Sequence, residues 1–334
     1  MSEIIHAALD AMGGDNAPKE IIKGAVKAVK ANPGLKVTLT GPEQVLREEL
    51  KKYQYPEDRI AVCDAPEIIE MGEPPVEAIR TKRNSSMVKG LQLVKSGECD
   101  AFVTAGSTGA ALAGGQLLVG RIRGIERPPL APLIPSAKGP VLLIDCGANM
   151  DPRPTMLRQF AQMGTVYMRG MTGLESPRVG LLNVGTEEEK GNALAKEAHA
   201  LLKECEGINF VGNIEAREII EGNVDIVVTD AFTGNAVLKM LEGTASTLMH
   251  MIKDALMAGF LTKIGALLIK PALKGLMSKF DASQYGGAPM LGLKGLVVKA
   301  HGNSTSAEIA NALAQCVVFK EKKINDNIKK EMNL

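Results

Sequence analysis

Two stretches of this sequence combine hydroxyls and glycine at the same spacing. Asp100 to Gly115 reads DAFVTAGSTGAALAGG and places Thr104, three residues, then Thr108 and Gly109. Asp225 to Asn235 reads DIVVTDAFTGN and places Thr229, three residues, then Thr233 and Gly234. In each, an apolar run of strand length precedes the loop and a helix-compatible segment follows. Such a loop feeds backbone N–H groups and hydroxyls into the positive end of a helix, a setting that suits phosphate. Each loop alone also reads as an ordinary strand-to-helix turn that needs glycine for positive φ. Two of them at the same edge of one parallel sheet would face a single cleft, and the shared spacing predicts that arrangement.

Other groups could work beside them. Asp10, Asp145 and Asp230 close apolar runs, where a carboxylate serves as acid, base or metal ligand, or simply caps and braces a loop. Asn16, Asn149, Asn213 and Asn235 supply neutral amides nearby, suited to phosphate or a developing oxyanion. His301 ends a strand and opens the loop His301-Gly302-Asn303-Ser304, which makes it a candidate for touching substrate, whereas His6, His199 and His250 read as structural. Ser107 follows Gly106 but has no identifiable histidine partner, and Cys146 at a strand end reads as a nucleophile or a buried thiol. No G-x-G-x-x-G, G-x-x-x-x-G-K-[ST] or G-x-S-x-G occurs, so dinucleotide, P-loop and hydrolase-elbow readings lack their usual support.

Composition narrows the classes. A net charge of +1 with 3% aromatic residues and no Trp argues against a nucleic-acid partner. Five cysteines without a C-x-x-C pair fit reduced cytosolic thiols and no zinc site, and no metal or cofactor is expected. The N-terminus lacks a basic, then apolar, leader, and no uninterrupted apolar window is long enough for a membrane span.

The elements that must position these groups alternate. Strands are predicted at Ile4 to Leu9, Lys36 to Thr40, Ile60 to Cys63, Ala101 to Val103, Val141 to Ile144, Arg178 to Val184, Asn209 to Val211, before Thr229, and at Leu296 to Val298. Helices are predicted over Lys19 to Ala31, Asn84 to Ser96, from Asp151 to about Arg169, beginning at Glu187 to Glu189, from Asn235, and over Thr305 to Lys323. The alternation predicts an α/β fold, a wound parallel sheet with helices on both faces, and the absence of a Pro- or Ser-rich linker predicts one unit (1–334) with interleaved lobes. From His250 to Phe280 apolar residues recur at helical spacing among lysines, interrupted by Gly259 and Pro271. That pattern predicts a protruding cationic amphipathic helical hairpin over residues 250–280, with Phe260, Leu261, Ile264, Leu267 and Leu268 available to an anionic membrane surface, an acyl chain or an oligomer partner.

The segments LDAMGGDNAP, TAGSTGA, LIDCGAN, RVGLLNVGTEEEKGN, FVGNIE, VVTDAFTGN, YGGAPMLGLKG and HGNS run in order from about Ile4 to Ala312. In this series the chain resembles the bacterial acyl-ACP:phosphate acyltransferases, the phosphate acyltransferase family of phospholipid synthesis. It departs at Ala231, where glycine is expected, at Cys146, where an aliphatic residue is expected, and at Asn303, which lies in a variable loop. The resemblance implies transfer of a long-chain acyl group from acyl carrier protein to inorganic phosphate. It also implies a cytoplasmic homodimer with an isocitrate/isopropylmalate dehydrogenase-like fold, peripherally associated with the membrane and passing its product to a membrane glycerol-3-phosphate acyltransferase. On that reading Ser107, Thr108, Gly109, Thr233 and Gly234 bind phosphate, and Asp230, His301 and Asn235 act at the reacting atoms, with Asn16 and Asn149 as secondary candidates. The alternatives are a metal-dependent dehydrogenase of related fold, which would need a dinucleotide site and a carboxylate cluster, and a non-catalytic membrane-surface scaffold.

Overall fold

The structure is a computed structural model that describes residues 4–279 and 282–334. Its strands are β1 (Ile5–Asp10), β2 (Leu35–Gly41), β3 (Ile60–Asp64), β4 (Ala101–Thr104), β5 (Leu133–Ser136), β6 (Gly139–Ile144), β7 (Arg178–Leu182), β8 (Asn209–Ile214), β9 (Ile226–Val228), β10 (Ala288–Met290) and β11 (Leu296–Lys299). They form two sheets, where the alternation pattern predicted one. The first runs β10-β11-β4-β1-β2-β3 and the second β5-β6-β9-β7-β8. Each is parallel except for one antiparallel edge, β10 on β11 and β5 on β6. The chain leaves the first sheet after β4, builds the second, and returns for β10 and β11. An apolar run announces a strand through its own residues, but its partner is chosen by long-range packing, so the split was not visible in the pattern.

The antiparallel edges meet. Ala131 N–H donates to the Pro289 carbonyl at 3.0 Å and Leu291 N–H to the Pro129 carbonyl at 3.2 Å, so backbone hydrogen bonds join the two sheets. Parallel strands buried on both faces read as continuous apolar runs, and Leu142, Leu143, Ile144, Val227 and Val228 are wholly buried. Helix Lys19–Ala31 lays Ile21, Ile22, Ala25 and Val29 on the first sheet. It packs closely on helix Ser306–Glu321, whose Ile309 Cβ would lie 2.6 Å from a Cβ added at Gly24. A reciprocal capping box between Thr305 and Glu308 starts the latter helix, a signal present in its sequence.

Several predicted helix starts move, and the helix expected from Asn235 begins at Ala231, with Asp230 as its cap. Helix Pro154–Thr172 begins after Arg153 without a side-chain cap, so Asp151 stays in the preceding loop. Glu187 to Glu189 also lie in a loop, because Asn192 caps helix Ala193–Lys203 by accepting from Ala195 N–H at 2.9 Å. The residues predicted to form a hairpin occupy helix Ala231–Met257 and helix Phe260–Lys279, separated at Ala258 and Gly259. Their apolar side chains are unburied: Phe260 is 79%, Leu261 80%, Leu267 71% and Leu268 77% exposed, and Ile264 46%. Phe280 lies outside the described residues, as do the side chains of Leu276 and Met277. Among the described residues, no helix is long and apolar enough to cross a membrane.

Candidate active site between the two sheets

Strands β11, β4 and β1 are neighbours in the first sheet and parallel, so their following loops lie side by side. The loop after β1 is wedged between the other two. An added Cβ at Gly14 (φ +97°) would lie 2.7 Å from the Gly302 carbonyl oxygen and 2.9 Å from Ala105 Cβ. Asp15 N–H donates to that same Gly302 carbonyl at 2.8 Å, and Asn16 Nδ2 donates to the Asn303 carbonyl at 2.9 Å. Only glycine at position 14 permits both the conformation and the approach.

Asp10 sits beneath this junction, wholly enclosed. The Thr104 hydroxyl donates to its Oδ2 at 2.7 Å and accepts from Gly106 N–H at 3.0 Å. Met12 N–H donates to Oδ1 at 3.3 Å. Burial raises the Asp10 carboxyl above its ordinary range, against the opposing pull of these hydrogen bonds. The acid predicted at the end of β1 therefore braces the β4 loop.

Beyond Gly106 the loop opens. Ser107 caps helix Thr108–Gly114, its Oγ accepting from Ala110 N–H at 3.4 Å. The N–H groups of Ser107, Thr108 and Gly109 have no acceptor among the described residues. Three unpaired donors at the positive end of a helix, beside two hydroxyls, form a receptacle for an anion. Pro75 forms one wall, since a Cβ at Gly109 would lie 2.6 Å from its Cγ.

The second loop, with the same spacing, is built differently. Asp230 caps helix Ala231–Met257, its oxygens accepting from Thr233 N–H at 2.8 Å and from the Thr233 hydroxyl at 2.7 Å. Its backbone carbonyl accepts from Gly234 N–H at 2.9 Å, and Ala231 N–H donates to the Asn149 carbonyl at 3.0 Å. The protein's own carboxylate thus occupies the position at this terminus that an anion would take. Gly234 is required by packing, because a Cβ there would collide with the Asp145 backbone. Asp145 and Asn149 are braces in turn. Asp145 accepts from Leu130 N–H at 2.9 Å, Ala148 N–H at 3.2 Å, Asn149 N–H at 2.8 Å and Asn149 Nδ2 at 2.7 Å.

What the second loop contributes is the helix. Asn235, Lys239 and Glu242 recur at helical spacing and share one face. Glu242 accepts from Lys239 Nζ at 2.7 Å and lies 3.8 Å from His301 Nε2, so this face reaches across to the β11 loop of the first sheet. His301 Nδ1 is 2.7 Å from Asn303 Oδ1. The pairing raises the His301 pKa and lowers that of Glu242 to about 2, each partner being the chief influence on the other. His301 thus faces Glu242, and Asp230, its expected companion, is engaged by Thr233. On the other side of the helix, Asp230, Thr233 and Val237 line an open recess of about 420 Å³ with Leu181, Asn183 and Asn192. Val184 and Gly191 also line it, at the two ends of a loop tied by Asn183 Nδ2 donating to the Lys190 carbonyl at 3.1 Å.

The structure therefore gathers Asn16, Ser107, Thr108, Gly109 and His301 at one edge and brings Asn235's helix face against it. It leaves Thr233 and Asp230 facing the adjoining recess. Sequence reasoning missed Lys239, Glu242 and Lys299. The first two carried a usable signal, the i, i+4, i+7 spacing from Asn235. Cys146 is buried, and burial pushes its thiol well above the ordinary range, so it is not poised as a nucleophile.

Comparison with known proteins decides the family. A model of the fatty acid synthesis protein family matches residues 5–326. A phosphate acyltransferase of Clostridium beijerinckii is 50% identical over 98% of this chain and 98% of its own length. The chain belongs to the phosphate acyltransferase family, and it is an acyltransferase. The dehydrogenase and scaffold readings fall with that assignment. In fold it is similar to a phosphotransacetylase from Streptococcus pyogenes, with a TM-score of 0.63 at 16% identity over 96% of this chain and 95% of the other. A 4-hydroxythreonine-4-phosphate dehydrogenase from Burkholderia phymatum aligns at a TM-score of 0.50 and 15% identity, covering 95% and 98% of the two chains. These likenesses place the two-sheet architecture among phosphotransacetylase and dehydrogenase folds.

Proposed function

We propose that the protein transfers a long-chain fatty acyl group from acyl carrier protein to inorganic phosphate. The observation that carries this reading is the row of N–H groups at Ser107, Thr108 and Gly109, unpaired among the described residues, beside the β11 loop whose His301 meets Glu242 on the helix of Asn235. Phosphate is held on the three N–H groups and the Ser107 and Thr108 hydroxyls. One of its oxygens attacks the thioester carbonyl carbon, a C–O bond forms, and the C–S bond breaks. The carrier thiolate leaves with the electron pair and is protonated by solvent. A thiol pKa of about 8.5 makes it a good leaving group, so positioning is the main demand on the protein. His301, and Asn235 on the helix that meets it, would stabilise the developing oxyanion or orient the phosphate. Thr233 and Gly234 seat the helix that carries Asn235, and Asn16 ties the neighbouring loops together.

The exposed apolar side chains of Phe260, Leu261, Ile264, Leu267 and Leu268, alternating with lysines, suit peripheral attachment of a cytoplasmic homodimer to an anionic membrane surface. A membrane glycerol-3-phosphate acyltransferase would take the acyl phosphate there. The test is to incubate purified protein with palmitoyl carrier protein, with and without phosphate, and trap the product with hydroxylamine. Phosphate-dependent hydroxamate supports the transfer, and no product from folded protein with intact carrier refutes it. For attachment, L261E with L267E should abolish binding to anionic vesicles while leaving the fold intact, and unchanged binding rejects the membrane role.

A further inference from the structure

We propose that Lys299 is a positioning residue for the phosphate loop, its buried ammonium holding the Ala105 carbonyl so that the next residues turn their N–H groups to the anion. This rests on the reading of Ser107 to Gly109 as the phosphate site. Lys299 ends β11 after the apolar Leu296, Val297 and Val298, and only 8% of it is exposed. Lysine is almost never buried without compensation. Here Nζ donates to the Ala105 carbonyl at 3.2 Å and, in a short contact, to the Ala300 carbonyl. Lys299 is paired in register with Thr104, and Ala300 N–H donates to the Thr104 carbonyl at 2.8 Å.

Three successive residues are therefore fastened from below. Thr104 is held by Asp10, Ala105 by Lys299, and Gly106 by the Thr104 hydroxyl. Beyond Gly106, the N–H groups of Ser107, Thr108 and Gly109 are unpaired among the described residues, and there the anion donors begin. Because the peptide is planar, holding the Ala105 carbonyl and the Gly106 N–H together fixes the Ala105–Gly106 plane, and with it the direction in which the chain enters Ser107. A neutral replacement would leave the Ala105 carbonyl unsatisfied and free to rotate toward the site, where it would repel phosphate.

The charged groups facing Lys299 are Asp10 on β1, Asp15 in the loop after β1 and Lys239 on helix Ala231–Met257. Burial is the largest influence on the amine and brings its pKa down to about 8, with Asp10 and Asp15 opposing and Lys239 assisting. Phosphate affinity should therefore be full below pH 8 and decline as pH rises through it. Arginine keeps its charge throughout that range.

The test measures binding of inorganic phosphate by calorimetry, and phosphate KM, donor KM and kcat by hydroxylamine trapping, for wild type, K299M and K299R between pH 6.5 and about 9.5. K299M should weaken phosphate binding roughly tenfold to a hundredfold, as expected for a lost charge-assisted hydrogen bond, and leave donor KM unchanged. K299R should recover most of the affinity and lose the decline above pH 8. The phosphate's own ionisation is common to all three proteins and cancels. Unchanged phosphate affinity in folded K299M, or equal losses in phosphate KM, donor KM and kcat, would overturn the proposal. If K299M does not fold, K299R decides alone: the same alkaline decline as wild type overturns it. Phosphate binding without acyl phosphate formation by the wild type would instead sink the transfer reading and leave the role of Lys299 standing.

Discussion

Glycine 14 offers the sharpest test of the site's construction. Its φ of +97° costs an L-residue about 1–2 kcal/mol. Alanine there would also place Cβ 2.7 Å from the Gly302 carbonyl oxygen and 2.9 Å from Ala105 Cβ, so overpacking adds about 1–3 kcal/mol. Gly97 supplies the control. It has φ +80° and nothing within 4 Å of an added Cβ, so G97A bears the conformational cost alone. A chain of 334 residues has an unfolding entropy near 0.7 kcal/mol/K, so G97A should lower Tm by about 1–3 °C and G14A by about 3–7 °C. The functional contrast should be larger. Relieving the contacts of the added methyl group separates the β1, β4 and β11 loops by roughly 0.5 Å, and displacements of 1 Å in a site can cost a factor of about 100. We therefore expect phosphate KM in G14A to rise roughly tenfold or more, and in G97A to stay at the wild-type value. Calorimetry gives the Tm values and hydroxylamine trapping the kinetics. Equal Tm losses, or a wild-type phosphate KM in G14A, would refute the argument that close approach at Gly14 positions the anion loop.

Three further outcomes follow from the same geometry. E242Q should lower the His301 pKa, as read by NMR titration, because Glu242 is the main group raising it. The raised His301 contributes stability that is full below its unfolded pKa of about 6.5 and lost as pH rises through the folded value, while Glu242 contributes above about 4.5 and loses it toward about 2. The cross-sheet contact should thus be strongest near pH 4.5–6.5, and a pH-stability profile identical in E242Q would count against it. D145N should destabilise by about 2–4 kcal/mol in urea unfolding, since it turns an NH2 toward the donors of Leu130, Ala148 and Asn149 that converge on Asp145. Alkylation followed by mass spectrometry should modify the partly exposed Cys63 and Cys205 first. Cys146, Cys99 and Cys316 should resist, the last two having thiols pushed up to about 12 by burial.

Much of the frame was legible in the chain itself. Apolar runs such as Val141 to Ile144 and the helix of Lys19–Ala31 are local signals, set by burial and by the 3.6-residue repeat, and each formed where its own residues place it. The cap at Thr305 was equally local. Strands β5 and β10 were missed because they are short, contain proline and exist as antiparallel edges whose partners lie elsewhere. Glu187 to Glu189 resembled a helix start, but Asn192 offered a better cap several residues on.

The residue types and their spacing alone determined that each Thr-x-x-x-Thr-Gly segment would join a strand to a helix, although the second helix begins at Ala231 and takes Thr233 and Gly234 into its first turn. The two loops nevertheless differ in what they can do. Thr104 and Asp10 come together across ninety-four residues and tie the first loop from below, leaving the donors of Ser107 to Gly109 open. Asp230 caps its own helix and closes the second. Only the tertiary structure decided this, and only it turned Lys299 from the end of a strand into a buried cation under the anion loop. Periodicity reports what a residue prefers, whereas the burial of a charge and the partner it finds depend on chain segments that sequence neighbours do not include.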